Sequence, residues 1–351
     1  MSGGAWLRAK CLRERFAGLF TGQAMGEILP TQTTCRRLLL TALGLSLLAA
    51  ACGGGAGTLR ILVPAAPGGG WDQTGRALQQ AMQSGGLAGR VTVDNRTGAG
   101  GTIGLAQFVS SRRGDPDALL VTGMVMVGAI LMNRSPVDLS HVTPIARLLG
   151  EYEVVVVPAD SKIQSLGDLL AQFRASPGGV SWGGGSAGGT EQIFSAMIAQ
   201  AAGVDPARIN YIPYSGGGEA LGAILGGHVT VGVSGYAEFA AQIDAGKLRA
   251  LAISSDQRLP GIDIPTLKEQ GIDVELANWR AVFGAPGITE AQKQNLVALL
   301  QQVVKTESWQ QALKRNQWSD LFLTGSQFEL FLDVERTRVA RTMQSIGLIG
   351  K

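Results

Sequence analysis

The stretch that decides the fold is residues 180–202, which read VSWGGGSAGGTEQIFSAMIAQAA. A short apolar run ends at Trp182, a glycine-rich turn covers 183–189, and the residues after the turn are apolar at helical spacing. The apolar positions of this last segment are Ile193, Phe194, Met197, Ile198 and Ala201. Their i, i+1, i+4, i+5 spacing puts them on one stripe of a helix. The stretch therefore predicts a buried strand, a tight turn and a helix.

The same strand–turn–helix pattern occurs three more times. The other turns are 67–70 (first), 98–101 (second) and 215–218 (fourth), and the turn at 183–189 is the third. Glycine lets the backbone approach a ligand closely, and a helix start offers unpaired N–H groups with a partial positive charge. One such turn occurs in any α/β protein, but four of them without a Lys or Arg predict a shared anion site built from main chain.

The order of the predicted elements indicates two lobes. Strands and helices alternate from Leu59 to Ser254, which predicts an α/β fold with parallel sheets. We expect lobe 1 to begin with 52–150, lobe 2 to comprise 151–245, and 246–351 to return to lobe 1 and end in helices. More than one crossing strand would join the lobes, which is typical of a clamshell with a ligand cleft.

Three local patterns refine this interpretation. The run 151–158 is predicted as one long strand at the start of lobe 2. Thr289 with Gln292, and Ser326 with Glu329, have the spacing of capping boxes and predict two helix starts.

The N-terminus has the pattern of an export signal. Arg36 and Arg37 precede an apolar run, 38–51, that ends in small residues before Cys52. The run is shorter than the roughly 20 residues that span a bilayer. We interpret 1–51 as an N-terminal extension and signal peptide, with Cys52 lipidated as in a bacterial lipobox. An ordinary signal peptide with an incidental cysteine is the alternative.

Charge and cysteine content exclude several classes of function. The chain has 30 Lys and Arg against 27 Asp and Glu, but 1–51 hold six of the basic and two of the acidic residues. The remainder has 24 against 25, which predicts no nucleic-acid surface. Of the three cysteines only Cys52 lies beyond residue 51, so no disulfide and no cysteine metal site is expected. His141 and His228 are far apart in sequence, and we predict no metal and no cofactor.

Two enzyme motifs match the third turn. Residues 183–188 fit the dinucleotide pattern G-x-G-x-x-G, with Asp205 at the distance of a ribose-binding acid. Residues 184–188 fit the nucleophile elbow G-x-S-x-G with Ser186 as nucleophile. A hydrolase of that type needs an acid and then a histidine downstream, and only His228 follows. The matches are typical of any glycine-rich loop, so we predict no catalytic residues.

Together these stretches resemble the solute-binding subunit of tripartite tricarboxylate transporters, the TctC or Bug family, over roughly residues 58–350. The matching segments, in chain order, are 63–72, 95–104, 141–145, 183–190, 212–220, 245–253, 265–271 and 279–286. Trp71, within the run GWDQT at 70–74, is similar to the sequence of the family's tricarboxylate-binding branch at this place. The resemblance implies a two-lobed, type II-like periplasmic-binding-protein fold that delivers an organic acid to a membrane permease, without catalysis and without a cofactor.

The resemblance also implies which residues hold the ligand. In the family, loops from both lobes hold a carboxylate. Carried over, the candidates are Gly68, Gly69, Trp71, Asp72, Gly101 and Thr102 from lobe 1, and Ser186, Gly188, Thr190, Tyr214 and Ser215 from lobe 2. Glycine N–H groups and hydroxyls suit carboxylate oxygens, whereas Asp72 is expected to brace or cap the first loop. Trp71 either walls the pocket or packs in the core.

The resemblance implies a setting as well as a site. It predicts a monomer in the periplasm or at the cell-envelope surface, attached to the membrane through Cys52 and working with permease subunits. A di- or tricarboxylate, citrate-like, is the expected ligand. Two alternatives remain open. One is a periplasmic sensor component that presents the same ligand, and the other is an α/β-hydrolase-type enzyme that uses Ser186.

Overall fold

The computed structural model describes residues 58–185, 187–214 and 217–350. The strands are β1 (Thr58–Val63), β2 (Arg90–Asn95), β3 (Ala118–Gly123), β4 (Thr143–Pro158), β5 (Ser181–Gly184), β6 (Asn210–Pro213), β7 (Val231–Gly235), β8 (Leu248–Ile253), β9 (Ala277–Gly284) and β10 (Ser319–Thr324). The helices are α1 (Gly70–Ser84), α2 (Thr102–Ser111), α3 (Met124–Met132), α4 (Leu166–Ala175), α5 (Thr190–Ala201), α6 (Gly217–Leu225), α7 (Tyr236–Asp244), α8 (Glu290–Val303), α9 (Glu307–Arg315) and α10 (Gly325–Ser345).

One curled sheet runs through the molecule in the order β2-β1-β3-β9-β4-β7-β5-β6, with β8 and β10 also paired to β4. Strand β4 is its centre. Residues 143–152 of β4 pair with β9, and 153–158 pair with β7 or β8. The central strand therefore passes from one half of the sheet to the other between Tyr152 and Glu153.

The prediction of parallel sheets is correct for the βα units and wrong for the centre. β1 is parallel to β2 and β3, and β5 is parallel to β6 and β7. In contrast, β4 is antiparallel to β7, β8, β9 and β10. Helical crossovers enforce parallel neighbours, whereas β4, β9 and β10 are strands that enter from distant parts of the chain.

Two local expectations need correction. The strand expected over 151–158 begins at Thr143, because bulges opposite β9 accommodate the irregular 143–150 segment. The helix expected to start with a capping box at Ser326 begins at Gly325 after the N-cap Thr324, with no side-chain cap. The capping box at Thr289 is present, since Thr289 and Gln292 cap each other.

The apolar stripe predicted for α5 is buried at three of its five positions, whereas Met197 is half-buried and Ala201 is exposed. Ala77, Leu78, Ala81 and Met82 of α1 are buried, as are Ile193, Phe194 and Ile198 of α5. Leu225, the last residue of α6, is a large apolar side chain that is 42% exposed. Residues 56–351 form one compact unit, and the lobe boundaries at 150 and 245 stay a prediction. Within the described residues, no helix is both long and apolar enough to cross a membrane.

Candidate functional site

The first turn is held in shape by a buried carboxylate. Asp72, 2% exposed, accepts hydrogen bonds from the Gly68 N–H (2.8 Å) and from Arg76 Nε (2.8 Å) at Oδ2, and from Asn95 Nδ2 (3.0 Å) at Oδ1. Burial acts to raise the pKa of Asp72, but these bonds and the Arg76 charge hold that pKa below its usual value. Asp72 therefore shapes the loop through which Gly68 and Gly69 lead into α1.

A buried arginine lies at the start of α1. Arg280 of β9 is 4% exposed, and its Nη2 lies 2.7 Å from Oε2 of Glu151. Its Nη1 donates to Thr74 Oγ1 over 3.3 Å, and its guanidinium lies 5.1 Å from the ring centroid of Trp318. A Cβ placed on Gly70 would overlap the Arg280 guanidinium, so a larger residue here would force this buried, ion-paired group to move. The first turn itself has no cation, but the fold supplies one.

Helix α3 packs against the second turn, and Trp71 at the start of α1 packs against the same turn. A Cβ on Gly101, whose φ is +95°, would lie 2.7 Å from Met126 Cε and 2.9 Å from Trp71 Cζ3. A Cβ on Gly100 would lie 2.5 Å from Ala129 Cβ, and Asn133 Nδ2 donates to Ala99 O over 2.9 Å.

The third turn also packs against α3. A Cβ on Gly128 of α3 would lie 2.7 Å from the carbonyl oxygen of Gly188, and a Cβ on Gly188, at φ +73°, would lie 2.9 Å from Met132 Cγ. Trp71, 9% exposed, thus packs against the second turn, while the third turn rests on α3.

The start of α5 carries an unpartnered donor. Thr190 is 1% exposed, and its hydroxyl has no hydrogen-bond partner among the described residues. The N–H of Gly188 already donates to Gln192 Oε1 over 2.8 Å, and the hydroxyl of Thr102 donates to Ala99 O over 3.0 Å. Of the lobe-2 candidates that can be described, Thr190 therefore has the free donor at a helix start.

The strand before the fourth turn, β6, is hydrogen-bonded to the third turn. The N–H of Tyr214 donates to Gly184 O over 3.0 Å, and the hydroxyl of Tyr211 donates to Gly185 O over 2.8 Å. Burial, with the charges of Glu191 and Glu153 adding to it, raises the pKa of Tyr211, which keeps this hydroxyl a donor. The two turns are thus connected through β6. Ser186, Ser215 and Cys52 lie outside the described residues.

Carboxylates line the crossing of β4 in a group that we name the acidic row: Glu151, Glu153, Glu191 and Glu238. Burial, then the like charges of Glu191, Glu151 and Glu238, raises the pKa of Glu153 well above its usual value, against the pull of Arg280. Burial likewise raises the pKa of Glu191 to about 7, opposed by a hydrogen bond from its own backbone. Glu151 accepts from Trp318 Nε1 (2.6 Å), and Glu238 accepts from Ser234 Oγ (2.8 Å).

Sequence reasoning missed Arg280, α3 and the acidic row. A lone arginine between Trp279 and Ala281 in an apolar strand was an available signal, because a buried charge needs a partner. Glu151 and Glu153 alternate within a strand in the same way, which places both on one face. Nothing in the run of α3 distinguishes it from an ordinary apolar helix.

The fold is that of periplasmic solute-binding proteins of the TctC type. A TctC solute-binding protein from Polaromonas has 27% identity to this chain and a TM-score of 0.70, over 82% of this chain and 98% of that one. MatC from Rhodopseudomonas palustris, solved with bound malate, has 20% identity and a TM-score of 0.64 over 82% and 98% of the two chains, and this likeness concerns the fold.

Comparison of sequences identifies the family. The sequence model of the tripartite tricarboxylate transporter family receptor, TctC, matches residues 75–348. Protein BugT of Bordetella pertussis is 33% identical over 235 residues, which cover 65% of this chain and 71% of BugT. The chain belongs to the TctC receptor family.

Proposed function

We propose that the protein is an extracytoplasmic receptor that captures an organic acid and delivers it to the permease of a tripartite tricarboxylate transporter. The observation that carries the proposal is that the starts of α2 and α5 both lie against α3, while Trp71 at the start of α1 packs on the second turn. Helix starts present N–H groups and partial positive charge, which suit a carboxylate. The malate bound by MatC, a protein of the same fold, supports this ligand class.

The ligand-binding residues in this proposal are those carried over from the family, with roles adjusted to the geometry. Thr190 donates its free hydroxyl, and Gly68 and Gly69 lead the first turn to the ligand. Gly101 and Gly188 let the backbone come close to the ligand. Trp71 and Thr102 line the second turn. Asp72 braces the site without touching the anion. Ser186, Tyr214 and Ser215 complete the lobe-2 side. In this role the protein binds and releases its ligand without chemical change.

A calorimetric and thermal-shift panel tests the proposal. Di- and tricarboxylates such as citrate, malate and succinate are the first acids to examine, with amine-bearing acids, sugars and an ester as comparisons. A ligand selective for the folded state stabilises it by about 2.7 kcal/mol at 100 times its Kd. We expect such stabilisation from one or more organic acids. A response to sugars alone, or turnover of the ester, would refute the proposal.

The proposal places the protein in the periplasm, tethered through a lipid on Cys52. Two acyl chains give stable anchoring where one is marginal. Cys52→Ser is expected to move the protein into the soluble fraction or to block processing. Intact mass of the mature wild-type chain provides the check, and an N-terminus at another residue without lipid mass would contradict the anchor.

A further inference from the structure

The acidic row is not explained by an anion site. Glu191 lies over the third turn, where a Cβ on Gly185 would be 2.5 Å from its Oε1. Glu153 is paired in register with Gly235, at the carboxyl end of β7, and β5 beside it leads into the same turn. Ligands of α/β proteins bind outside the carboxyl ends of such strands. Glu191 and the strand position of Glu153 therefore lie at the end of the sheet where a ligand is expected.

Positive charge around the row is scarce. Arg280 is the cation that acts on Glu153, and it already forms its ion pair with Glu151, whose other oxygen accepts from Trp318. Within the described part of the chain, Glu153, Glu191 and Glu238 have no Lys, Arg or His at ion-pair distance. A ligand with only carboxylates would add further negative charge here.

Two buried groups at this place lack partners. Glu153 is 1% exposed, and neither of its carboxylate oxygens has a hydrogen-bond partner among the described residues. The start of α5, where Thr190 directly precedes Glu191, holds the unpartnered Thr190 hydroxyl. Native proteins satisfy nearly all buried polar groups, so acceptors and a donor left open in this part of the fold indicate a ligand that bears both kinds of group.

The geometry argues against a metal ion as the occupant. In the regions that the structure describes, no three Asp, Glu, His or Cys side chains are arranged to hold a metal. An alkylammonium group carries several N–H donors in different directions and can serve carboxylates that do not converge on one point.

We propose that the acidic row is the subsite for a protonated amine, so that the ligand is a carboxylic acid that also carries a cationic nitrogen. The inference rests on the proposed function. The ligand's carboxylate binds at the helix starts around α3, and its ammonium group binds to Glu153 and Glu191. Glu238 adds to the negative electrostatic potential there. Charge-assisted hydrogen bonds of this kind are the stronger ones in proteins.

Calorimetry at pH 8, above the pKa of about 7 of Glu191, tests the inference with matched pairs of acids. The pairs are succinate with 4-aminobutanoate and glutarate with 5-aminopentanoate, in which one carboxylate becomes an ammonium group. Glutamate keeps both carboxylates of glutarate and adds the amine. We expect at least one amine-bearing acid to bind roughly tenfold or more tightly than its plain partner.

Variants then test which residues cause the preference for amine-bearing acids. Glu191→Gln should abolish the preference, through weaker binding of the amine-bearing acid and unchanged or tighter binding of the plain one. Glu238→Gln should reduce the preference by a smaller factor. Glu307→Gln, an exposed acid at the start of α9, is the matched control and should leave it unchanged. Thermal melting confirms that each variant is folded.

The outcomes separate the two proposals. If plain dicarboxylates bind as tightly as their amine-bearing partners, or if Glu191→Gln leaves the preference intact, the amine subsite is wrong and the receptor function stands. If no organic acid binds, both are wrong.

Discussion

Arg280 and Glu151 form a buried ion pair that joins β9 to β4 at the crossing of the sheet. The arginine side chain is 5% exposed and the glutamate side chain 19%. Removal of one partner leaves the other charge buried and unpaired, which costs about 3–5 kcal/mol. Arg280→Met should therefore lower the free energy of unfolding by an amount of this order, measured by urea denaturation.

Arg60→Met is the comparison for that variant. Arg60 pairs with Asp115 over 3.1 Å, but its side chain is 44% exposed, and exposed pairs contribute less than about 1 kcal/mol. Equal losses in the two variants would show that Arg280 is not an essential partner of Glu151.

Substitution of Thr190 is expected to lower ligand affinity without lowering stability. Thr190→Val keeps the shape and removes a hydroxyl that has no partner in the fold. A hydrogen bond to a charged group contributes on the order of 1.5–3 kcal/mol, so affinity for the best organic acid should fall roughly tenfold to a hundredfold, while the melting temperature stays or rises. Thr337→Val, which removes an exposed hydroxyl bonded to Asp333 O, is the control. Unchanged affinity in Thr190→Val would remove Thr190 from the site.

At the scale of elements, α3 matters because it contacts both the second and the third turn. Gly128 allows the contact with Gly188, since a Cβ at this position would lie 2.7 Å from a backbone carbonyl oxygen. Gly128→Ala should force α3 and the third turn apart and weaken ligand binding by an order of magnitude or more, as measured by calorimetry.

Gly222→Ala is the matched helical control. Gly222 lies in α6, and a Cβ there would have nothing within 4 Å. Alanine is favoured over glycine within a helix by roughly 0.5–1 kcal/mol, so this variant should gain stability and keep its affinity. If Gly128→Ala behaves in the same way, α3 does not set the position of the third turn.

At the scale of the whole molecule, acids with shifted pKa values act on stability in opposite directions. The pKa of Asp72 is lowered, so its contribution is present above about pH 3.9 and is lost as the pH falls through the folded-state value. The pKa of Glu191 is raised to about 7, so its contribution is present below about pH 4.3 and is lost as the pH rises through 7.

The direction in which Glu191 makes stability depend on pH can be tested on the unliganded protein. Glu191→Gln removes a carboxylate that is costly to ionise in the fold, so its stability relative to the wild type should increase from pH 5 to pH 8, by on the order of 2 kcal/mol. Urea denaturation at four pH values measures the difference. Glu307→Gln should show no such trend. A difference that is constant with pH would mean that Glu191 ionises normally in the folded protein.

The sequence by itself determined the parts of the protein that depend on neighbours in the chain. Gly98–Gly101 and Gly183–Gly189 mark turns because glycine admits backbone angles and close contacts that other residues do not. Leu78 and Met82, or Ile193 and Phe194, mark buried helix faces because the helical period is local. These features sufficed for the α/β class, the turn-and-helix units and the family resemblance.

Only the tertiary structure decided what surrounds those turns. Arg280 reaches Thr74 across 206 residues, and Glu153 meets Glu191 only because β4 lies beside β7. The direction and register of β4, β9 and β7 are set by packing of the whole core, since strands that enter from distant segments can pair in either direction. The turns could therefore be read along the chain, whereas the charges that face them follow from how the sheet closes around β4.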